Sequence, residues 1–338
     1  MAILDAKKTA DHISNWIKDY SDKSGLSSLV LGLSGGVDSA LVALLCKRTG
    51  KQVWCVNMPC HSSDSAYQRA SNFARDYHLN LVKIDLSAAH ESIYQQASQQ
   101  GFGTDNKVAV GGLRSCLRAP TLSYFANSTR GLIVGTGNRS EDNITRYFQK
   151  YGDGCVDISP ISDLFKNEVY ELFAYLASFK HGYVAENTGH ICNVGEEHTN
   201  KLYPQFSSRL STKHVDLSLM APSARAIFEA NPTADLWGPD AGQEDEKELG
   251  ITYDEIEWAD REDMRTQYVL EGIAGHDQDV PGIIFNDADP TKHPEFYRYT
   301  GRQQQVIARL HQLEKISRHK FNASLPCCKV RDIEGLVK

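Results

Sequence analysis

The segment Ser34-Gly35-Gly36-Val37-Asp38-Ser39 combines residue types that suit phosphate binding. It follows a short apolar run that ends at Gly32 and precedes a helical pattern, so we expect it to connect a strand to a helix. Glycines let the backbone approach an anion closely, and the N-terminus of the next helix offers free N–H groups. The serine hydroxyls add donors. The segment therefore predicts a phosphate-binding loop, with a simple capped turn as the alternative.

Asp38 is the one member of this loop that would repel a phosphate. A cation between the carboxylate and the phosphate removes the repulsion, so the sequence predicts that Asp38 binds Mg²⁺. The loop lacks the G-x-x-x-x-G-K-[ST] spacing and its lysine, and it also lacks G-x-G-x-x-G. It is thus neither of the two common nucleotide-binding loops.

The elements that must position the loop alternate between strands and helices. This alternation predicts an α/β fold with a doubly wound, mostly parallel sheet, whose ligands lie at the carboxyl ends of the strands. The apolar patterns place strands at 28–33, 52–58, 80–86 and 131–137, and helices at 5–20, from 37 onward, 64–78, 113–127 and 163–177.

Two stretches do not follow the alternating pattern. Residues 181–230 are polar with mixed periodicity, and residues 260–300 are rich in Asp, Gly and Pro. We interpret both as surface insertions on a single domain that spans residues 1–338.

Composition narrows the class of protein. The 338 residues carry a net charge of −7, which argues against a broad basic face for nucleic acid. The first residues contain charges where a signal peptide would be apolar, and no run of about 18 apolar residues is present. We therefore expect a cytoplasmic protein with no membrane partner. Eight cysteines without a CxxC pair favour reduced thiols, although a zinc site or disulfides remain alternatives.

The phosphate loop and later motifs resemble a known family. SGGVDS resembles the pyrophosphate loop of the ATP pyrophosphatase superfamily, whose fold is Rossmann-like and of the adenine nucleotide alpha hydrolase type. GTGNRSEDNITRYFQKYGDGCVDISP at 135–160 is similar to the most diagnostic stretch of the ammonia-dependent NAD synthetases. Further matches follow in order: Leu164-Phe165-Lys166, Pro232-Thr233-Ala234-Asp235-Leu236, ELGITYDEIE at 248–257, and His319-Lys320.

The resemblance implies an activity: Mg²⁺-dependent adenylation of deamido-NAD by ATP, followed by ammonia attack. It also implies a homodimer and catalytic roles for Asp153 and Lys166, with Asp153 over the reacting carbonyl. Mg²⁺ would be held by Asp38 and Glu141. The implied ATP contacts are Gly32, Ser34, Gly35, Gly36, Val37, Asp38, Ser39, Thr136, Lys166 and Thr233, and the implied deamido-NAD contacts are Cys116, Arg146, Lys150, Asp157, His319 and Lys320.

Three positions depart from the family pattern on the side of the acid substrate. Cys116 stands where the family has an arginine, Arg146 where it has a small residue, and Ala230 where it has a basic residue. Cysteine cannot bind phosphate through a bidentate fork as arginine does. Either another residue such as Arg146 compensates, or the substrate is a related acid such as nicotinate mononucleotide.

Two other classes of function stay open at this point. A tRNA-modifying ATP pyrophosphatase would need a basic face, which the net charge of −7 disfavours. A nucleotide-binding regulator without catalysis would not need both Asp38 and Glu141. Only about thirty residues precede Ser34, so we expect no glutaminase domain and a supply of ammonia from outside the chain.

Overall fold

The computed structural model describes residue 3 and residues 5–102, 106–178, 220–233, 236, 243–261, 301–317, 320, 326–331 and 335. His319 and most of the stretches 181–230 and 260–300 lie outside these residues. None of the described helices has the length and apolar character needed to cross a membrane.

A four-stranded parallel sheet forms the centre of the fold, with the strand order β3-β2-β1-β4. Its strands are β1 (Ser28–Gly32), β2 (Gln52–Asn57), β3 (Asn80–Lys83) and β4 (Gly131–Ile133). The order places β2 and β3 on one side of β1 and β4 on the other. The strand order therefore changes direction between β1 and β4. In a parallel sheet, such a change leaves a crevice at the carboxyl ends of the two strands.

The structure describes ten helices and a π-helical segment at Arg139–Thr145. They are α1 (Ala6–Ser24), α2 (Val37–Arg48), α3 (Asp64–Asp76), α4 (Ser87–Gln99), α5 (Lys107–Thr129), α6 (Lys166–Ala177), α7 (Pro222–Phe228), α8 (Asp245–Leu249), α9 (Tyr253–Arg261) and α10 (Gly301–Ser317).

Helices cover both faces of the sheet because alternate residues of a strand point to opposite faces. Leu29 and Leu31 of β1 are buried in the core cluster that includes α1, α2 and α6. Val30, between them, belongs to a second cluster with Leu122 of α5. The doubly wound parallel α/β fold predicted from the sequence is thus confirmed.

Several predicted elements have different ends in the structure, among them α5 and β4. Helix α5 begins at Lys107 rather than near 113, because the Asn106 side chain accepts a hydrogen bond from Ala109 N and caps the extra turns. Strand β4 ends at Ile133 rather than 137. The next residue, Val134, makes a single parallel bridge with Ile158, and the chain then turns into the π-helical segment.

Part of the predicted insertion at 181–230 belongs to the core. Ala224, Ile227 and Phe228 of α7 are buried in the main cluster, and the ring of Phe228 packs edge-on against Tyr170 of α6 at 5.3 Å between centroids. The described part of this stretch therefore packs into the core and not on the surface. Its apolar residues complete the packing of α3 and α6.

Candidate active site

The phosphate loop is held by its own hydroxyl groups. Ser34 N donates to Ser39 Oγ at 3.2 Å, and Ser39 Oγ donates to Gly36 O at 3.0 Å. Gly36 N donates to Ser34 Oγ at 3.2 Å. This network fixes the turn between β1 and α2, and α2 then begins at Val37 with its free N–H groups at the carboxyl edge of the sheet.

Gly35 allows the loop to pass close to α3. Its φ is +90°, and a Cβ at this position would lie 2.4 Å from the carbonyl oxygen of Ala66. The Arg69 side chain also donates from Nε to Gly35 O at 3.2 Å. Only glycine satisfies both the backbone conformation and the close approach.

Two carboxylates and one amine meet beside this loop. Lys166 Nζ lies 2.6 Å from Asp38 Oδ2 and 2.9 Å from Glu141 Oε1. The lysine side chain is only 3% exposed, whereas the two carboxylates are 17% and 18% exposed. Asn138 Nδ2 donates to the second oxygen of Asp38 at 2.8 Å. The predicted metal residues and the predicted catalytic lysine are thus brought together from three separate elements.

The π-helical segment positions Glu141. The Asn138 side chain caps the segment by accepting from Glu141 N at 3.1 Å, and Ser140 Oγ accepts from Lys166 N at 3.3 Å. Arg146 ends the segment with a left-handed φ of 52°. Because π-helical turns are rare and occur often at functional sites, this geometry supports a role beyond folding.

Burial and charge compete at this centre. Burial opposes the charged form of Lys166, but the Asp38 and Glu141 carboxylates outweigh it and raise the lysine pKa well above its ordinary value. Burial raises the pKa of Glu141, partly offset by Lys166. The lysine therefore stays charged at neutral pH and holds two carboxylates that would otherwise repel each other.

Tyr253 completes the surroundings of Glu141. Its hydroxyl donates to Glu141 Oε1 at 2.8 Å and lies 3.3 Å from Asp245 Oδ2. Burial, followed by these carboxylates, raises the tyrosine pKa well above its ordinary value. The residues that reasoning from the sequence missed are therefore Tyr253, Asp245 and Asn138. Asn138 could have been found, because asparagine just before a helical segment is a common N-cap residue. Tyr253 could not, because only the tertiary structure brings it to Glu141.

The donor set at this centre fits Mg²⁺. Asp38 and Glu141 both contact the same amine, so their oxygens face one small volume next to the phosphate loop. Magnesium prefers oxygen ligands and is commonly held by one or two carboxylates together with substrate phosphates. These two residues are the ones that would hold the ion.

A second group of predicted residues surrounds Asp153. Its Oδ1 accepts hydrogen bonds from Ser115 Oγ at 2.7 Å and from Gln149 N at 2.9 Å. Lys320 Nζ donates to Arg146 O at 3.2 Å. Burial lowers the pKa of Lys320, and the charge of Asp153 acts in the opposite direction. Asp153 and Lys320 therefore lie in one charged region.

Two of the three departures from the family pattern, Cys116 and Arg146, also lie near this region. Cys116 is half-buried on α5, and burial raises the pKa of its thiol, with the Asp153 charge acting in the same direction. Arg146 is buried, and its Nη2 lies 3.5 Å from Glu314 Oε1. The arginine charge is thus already balanced in part by a carboxylate.

The structure describes four more of the predicted residues. Asp157 Oδ2 accepts from Ile133 N at 2.8 Å, and Lys150 Nζ lies 6.0 Å from the ring centre of Tyr151. Thr136 is half-buried just after β4, and Thr233 is exposed. His319 lies outside the described residues.

Comparison with known proteins gives the family. The family model described as NAD synthase matches residues 9–193, more than half of the chain. The chain belongs to the NAD synthase family. Two of its relatives are described as NH3-dependent NAD+ synthetases. The Archaeoglobus fulgidus protein is 31% identical over 258 residues, which cover 75% of this chain and 83% of that protein. The Methanococcoides burtonii protein is 32% identical over 260 residues, covering 76% and 78%.

Solved structures agree with this family on the fold. A Francisella tularensis structure described as an NMN synthetase has a TM-score of 0.61 and 24% identity, and it covers 95% of this chain and 97% of that chain. A Burkholderia pseudomallei structure described as a NAD+ synthetase has a TM-score of 0.52 and 19% identity, covering 94% and 90%. At these identities the likeness establishes the α/β fold of the NAD synthase family and nothing finer.

Proposed function

We propose that this protein is an ammonia-dependent NAD synthetase. It adenylates the carboxylate of deamido-NAD with ATP and releases pyrophosphate, and ammonia then displaces AMP to form NAD+. The observation that carries the proposal is the contact of Lys166 with both Asp38 and Glu141, next to a phosphate loop. Membership of the NAD synthase family, with relatives described as NH3-dependent NAD+ synthetases, supports the same activity.

The chain's own residues account for the adenylation step. The N–H groups of the phosphate loop and of the first turn of α2 bind the leaving pyrophosphate. The Lys166 amine lies 2.6 Å from Asp38 beside the phosphate loop, so it would be within reach of the phosphate oxygens of bound ATP. Asp38 and Glu141 would hold Mg²⁺, and a metal ion there would neutralise the phosphate charge that repels the attacking carboxylate. Electrostatic stabilisation of this kind is the main contribution that a protein makes to such a transfer.

We assign the ammonia step to Asp153. Ammonia must attack as neutral NH3, so a carboxylate near the reacting carbonyl can accept a proton from ammonium or orient the nucleophile. Ser115 and Gln149 hold one oxygen of Asp153, and the side chain is otherwise exposed at the site. Asp153→Ala should lower ammonia-dependent turnover while ATP binding is retained. Full turnover in this variant would remove Asp153 from the mechanism.

Nicotinate mononucleotide is the second candidate for the acid substrate. Cys116 replaces the family's arginine, and the charge of Arg146 is already engaged by Glu314. A substrate that lacks the adenylate half of deamido-NAD would need fewer phosphate contacts on this side. The Francisella tularensis structure of the same fold is described as an NMN synthetase, and this description supports the second candidate.

We also propose a homodimer in the cytoplasm, where ATP is available. Membership of the NAD synthase family supports the dimer, because the resemblance that implies the activity also implies a homodimer. Light scattering after gel filtration should give twice the mass of the chain. A monomer at micromolar concentration would contradict this part of the proposal.

One experiment tests the proposed reaction and its substrate together. Purified protein is incubated with ATP, Mg²⁺ and ammonium, and either deamido-NAD or nicotinate mononucleotide is added. Amide product and AMP are quantified for each. Preference for deamido-NAD supports the NAD synthetase proposal, and preference for the mononucleotide supports the second candidate. No AMP with either acid would contradict both.

A further inference from the structure

A group of metal-ligating side chains lies outside the site described above. His61, His90 and Glu91 each present one nitrogen or oxygen ligand atom, and these atoms lie within 4.8 Å of one another. The rings of His61 and His90 meet edge-on, with 5.2 Å between centroids. No other group of three such side chains meets this closely among the residues that the structure describes.

His90 supplies an independent sign that a ligand belongs here. The side chain is 3% exposed, and its Nε2 lies 3.3 Å from Val110 O. Since a carbonyl only accepts hydrogen bonds, Nε2 carries the proton, and Nδ1 is left with its lone pair. Nδ1 is buried and has no hydrogen-bond partner among the described residues. A metal-binding histidine usually donates its other ring N–H to a carbonyl or carboxylate, as His90 does.

The position of the group in the fold makes a bound ion consequential. His61 lies four residues after the end of β2, and His90 and Glu91 lie in the first turns of α4, which follows β3. Strand β2 is the direct neighbour of β1 in the sheet. The group therefore lies at the same carboxyl edge as the phosphate loop, on the side away from β4. An ion bound there would connect the residues after β2 to helix α4.

We propose that His61, His90 and Glu91 form a binding site for a divalent cation of the zinc class, separate from the Mg²⁺ site. Two imidazoles and one carboxylate suit Zn²⁺ or Co²⁺ and do not suit Mg²⁺, which prefers oxygen ligands alone. Three protein ligands leave a fourth position to water. The Glu91 carboxylate is already oriented, because Gln95 Nε2 donates to its Oε1 at 2.7 Å.

Calorimetric titration of the full chain with Zn²⁺, in excess Mg²⁺ and without ATP, tests the site. The excess of Mg²⁺ serves to compete with Zn²⁺ for the carboxylates of Asp38 and Glu141. We expect one Zn²⁺ per chain, and at least about 10-fold weaker binding by His61→Asn and by Glu91→Gln. His78→Asn is the matched control, since His61 and His78 have left-handed φ values of 53° and 51° and asparagine tolerates this conformation. The control should bind Zn²⁺ as the parent does.

The absorption of bound Co²⁺ separates this site from cysteine sites. Histidine and carboxylate ligands give visible bands without a thiolate-to-cobalt band in the near ultraviolet, and His61→Asn should abolish these visible bands. Absence of Zn²⁺ binding, equal binding by the parent and His61→Asn, or a thiolate band that persists in this variant would overturn the proposal. Circular dichroism of both ligand variants verifies that they are folded.

Discussion

Lys166 is the residue that joins the two carboxylates of the candidate active site. Lys166→Met keeps the length of the side chain and removes its charge, which leaves two carboxylates without their buried partner. We expect pyrophosphate release to fall by about 10²–10³-fold and the free energy of unfolding without Mg²⁺ to fall by ~3 kcal/mol. Steady-state turnover and urea denaturation measure the two effects.

Lys166→Arg is the matched control for this prediction. It keeps the positive charge, so most of the stability should remain, whereas the bulkier guanidinium should still impair turnover. Parental turnover in Lys166→Met would show that the lysine is not part of the adenylation machinery.

We expect the ionisation of buried Asp142 to lower the stability of the folded protein as the pH rises. Burial and then the negative charges of Glu141, Asp153 and Asp38 raise its pKa well above the ordinary 3.8. The folded state thus holds a proton on Asp142 that the unfolded state releases. The stabilising contribution of protonated Asp142 is present below about pH 4 and is lost as the pH rises through the raised pKa. In Mg²⁺-free buffer, Asp142→Asn should gain thermal stability over the parent progressively above about pH 4.

Asp22 provides a control of opposite sign. Hydrogen bonds from Lys18 and Lys51 lower its pKa to about 2, so its contribution is present above the unfolded pKa near 4 and is lost as the pH falls. Asp22→Asn should therefore lower stability slightly at neutral pH, since the pair is exposed and screened by solvent. A gain of stability by Asp142→Asn that is the same at all pH values would contradict the assignment to ionisation.

At the scale of elements, the close approach of the phosphate loop to α3 depends on Gly35. Gly35→Ala would place a Cβ 2.4 Å from Ala66 O and would strain a backbone with φ of +90°. We expect loss of measurable ATP binding by calorimetry, together with a lower melting temperature. Gly50→Ala is the matched control, since its φ is +73° but nothing lies within 4 Å of the added atom.

The control separates backbone strain from the contact with α3. Gly50→Ala should cost only the left-handed strain of about 1–2 kcal/mol and should bind ATP as the parent does. If Gly35→Ala also kept parental ATP affinity, the close packing of the loop on α3 would not be needed for the phosphate site.

At the scale of the whole molecule, an ion pair connects Arg331 to the first turn of α6. Arg331 Nη2 contacts Glu168 Oε2 at 2.5 Å, and its guanidinium lies 4.4 Å from the ring centre of Phe165. The Glu168 side chain is fully buried. Arg331→Met should leave this carboxylate without its charge partner and should lower the free energy of unfolding in urea by ~3 kcal/mol.

Arg302→Met tests whether burial is the cause of that loss. Arg302 pairs with Glu255, but its side chain is 53% exposed. Removal of this pair should cost less than about 1 kcal/mol, because solvent screens it. An equal loss of unfolding free energy in the two variants would show that burial does not strengthen the contribution of the Glu168 ion pair.

The sequence by itself determined the elements and the chemistry of the phosphate loop. Strands of apolar residues and helices with apolar faces are local patterns. They predicted the four strands and helices α1, α2, α3 and α6 within a few residues of their observed ends. Helix α4 was not predicted, and α5 begins at Lys107 rather than near 113. The loop from Ser34 to Ser39 is also recognisable from the local sequence. Two adjacent glycines between a strand and a helix are typical of a phosphate-binding turn. The order of the family motifs added Glu141 and Lys166 as candidates.

Only the tertiary structure decided which of these residues meet. Asp38 and Lys166 are 128 positions apart, and Tyr253 lies 112 positions from Glu141. No local pattern encodes such contacts, since they depend on how the sheet brings the ends of β1 and β4 together. The burial of α7 was missed for the same reason: the apolar face of this short helix is recognisable only when α3 and α6 are in place to cover it.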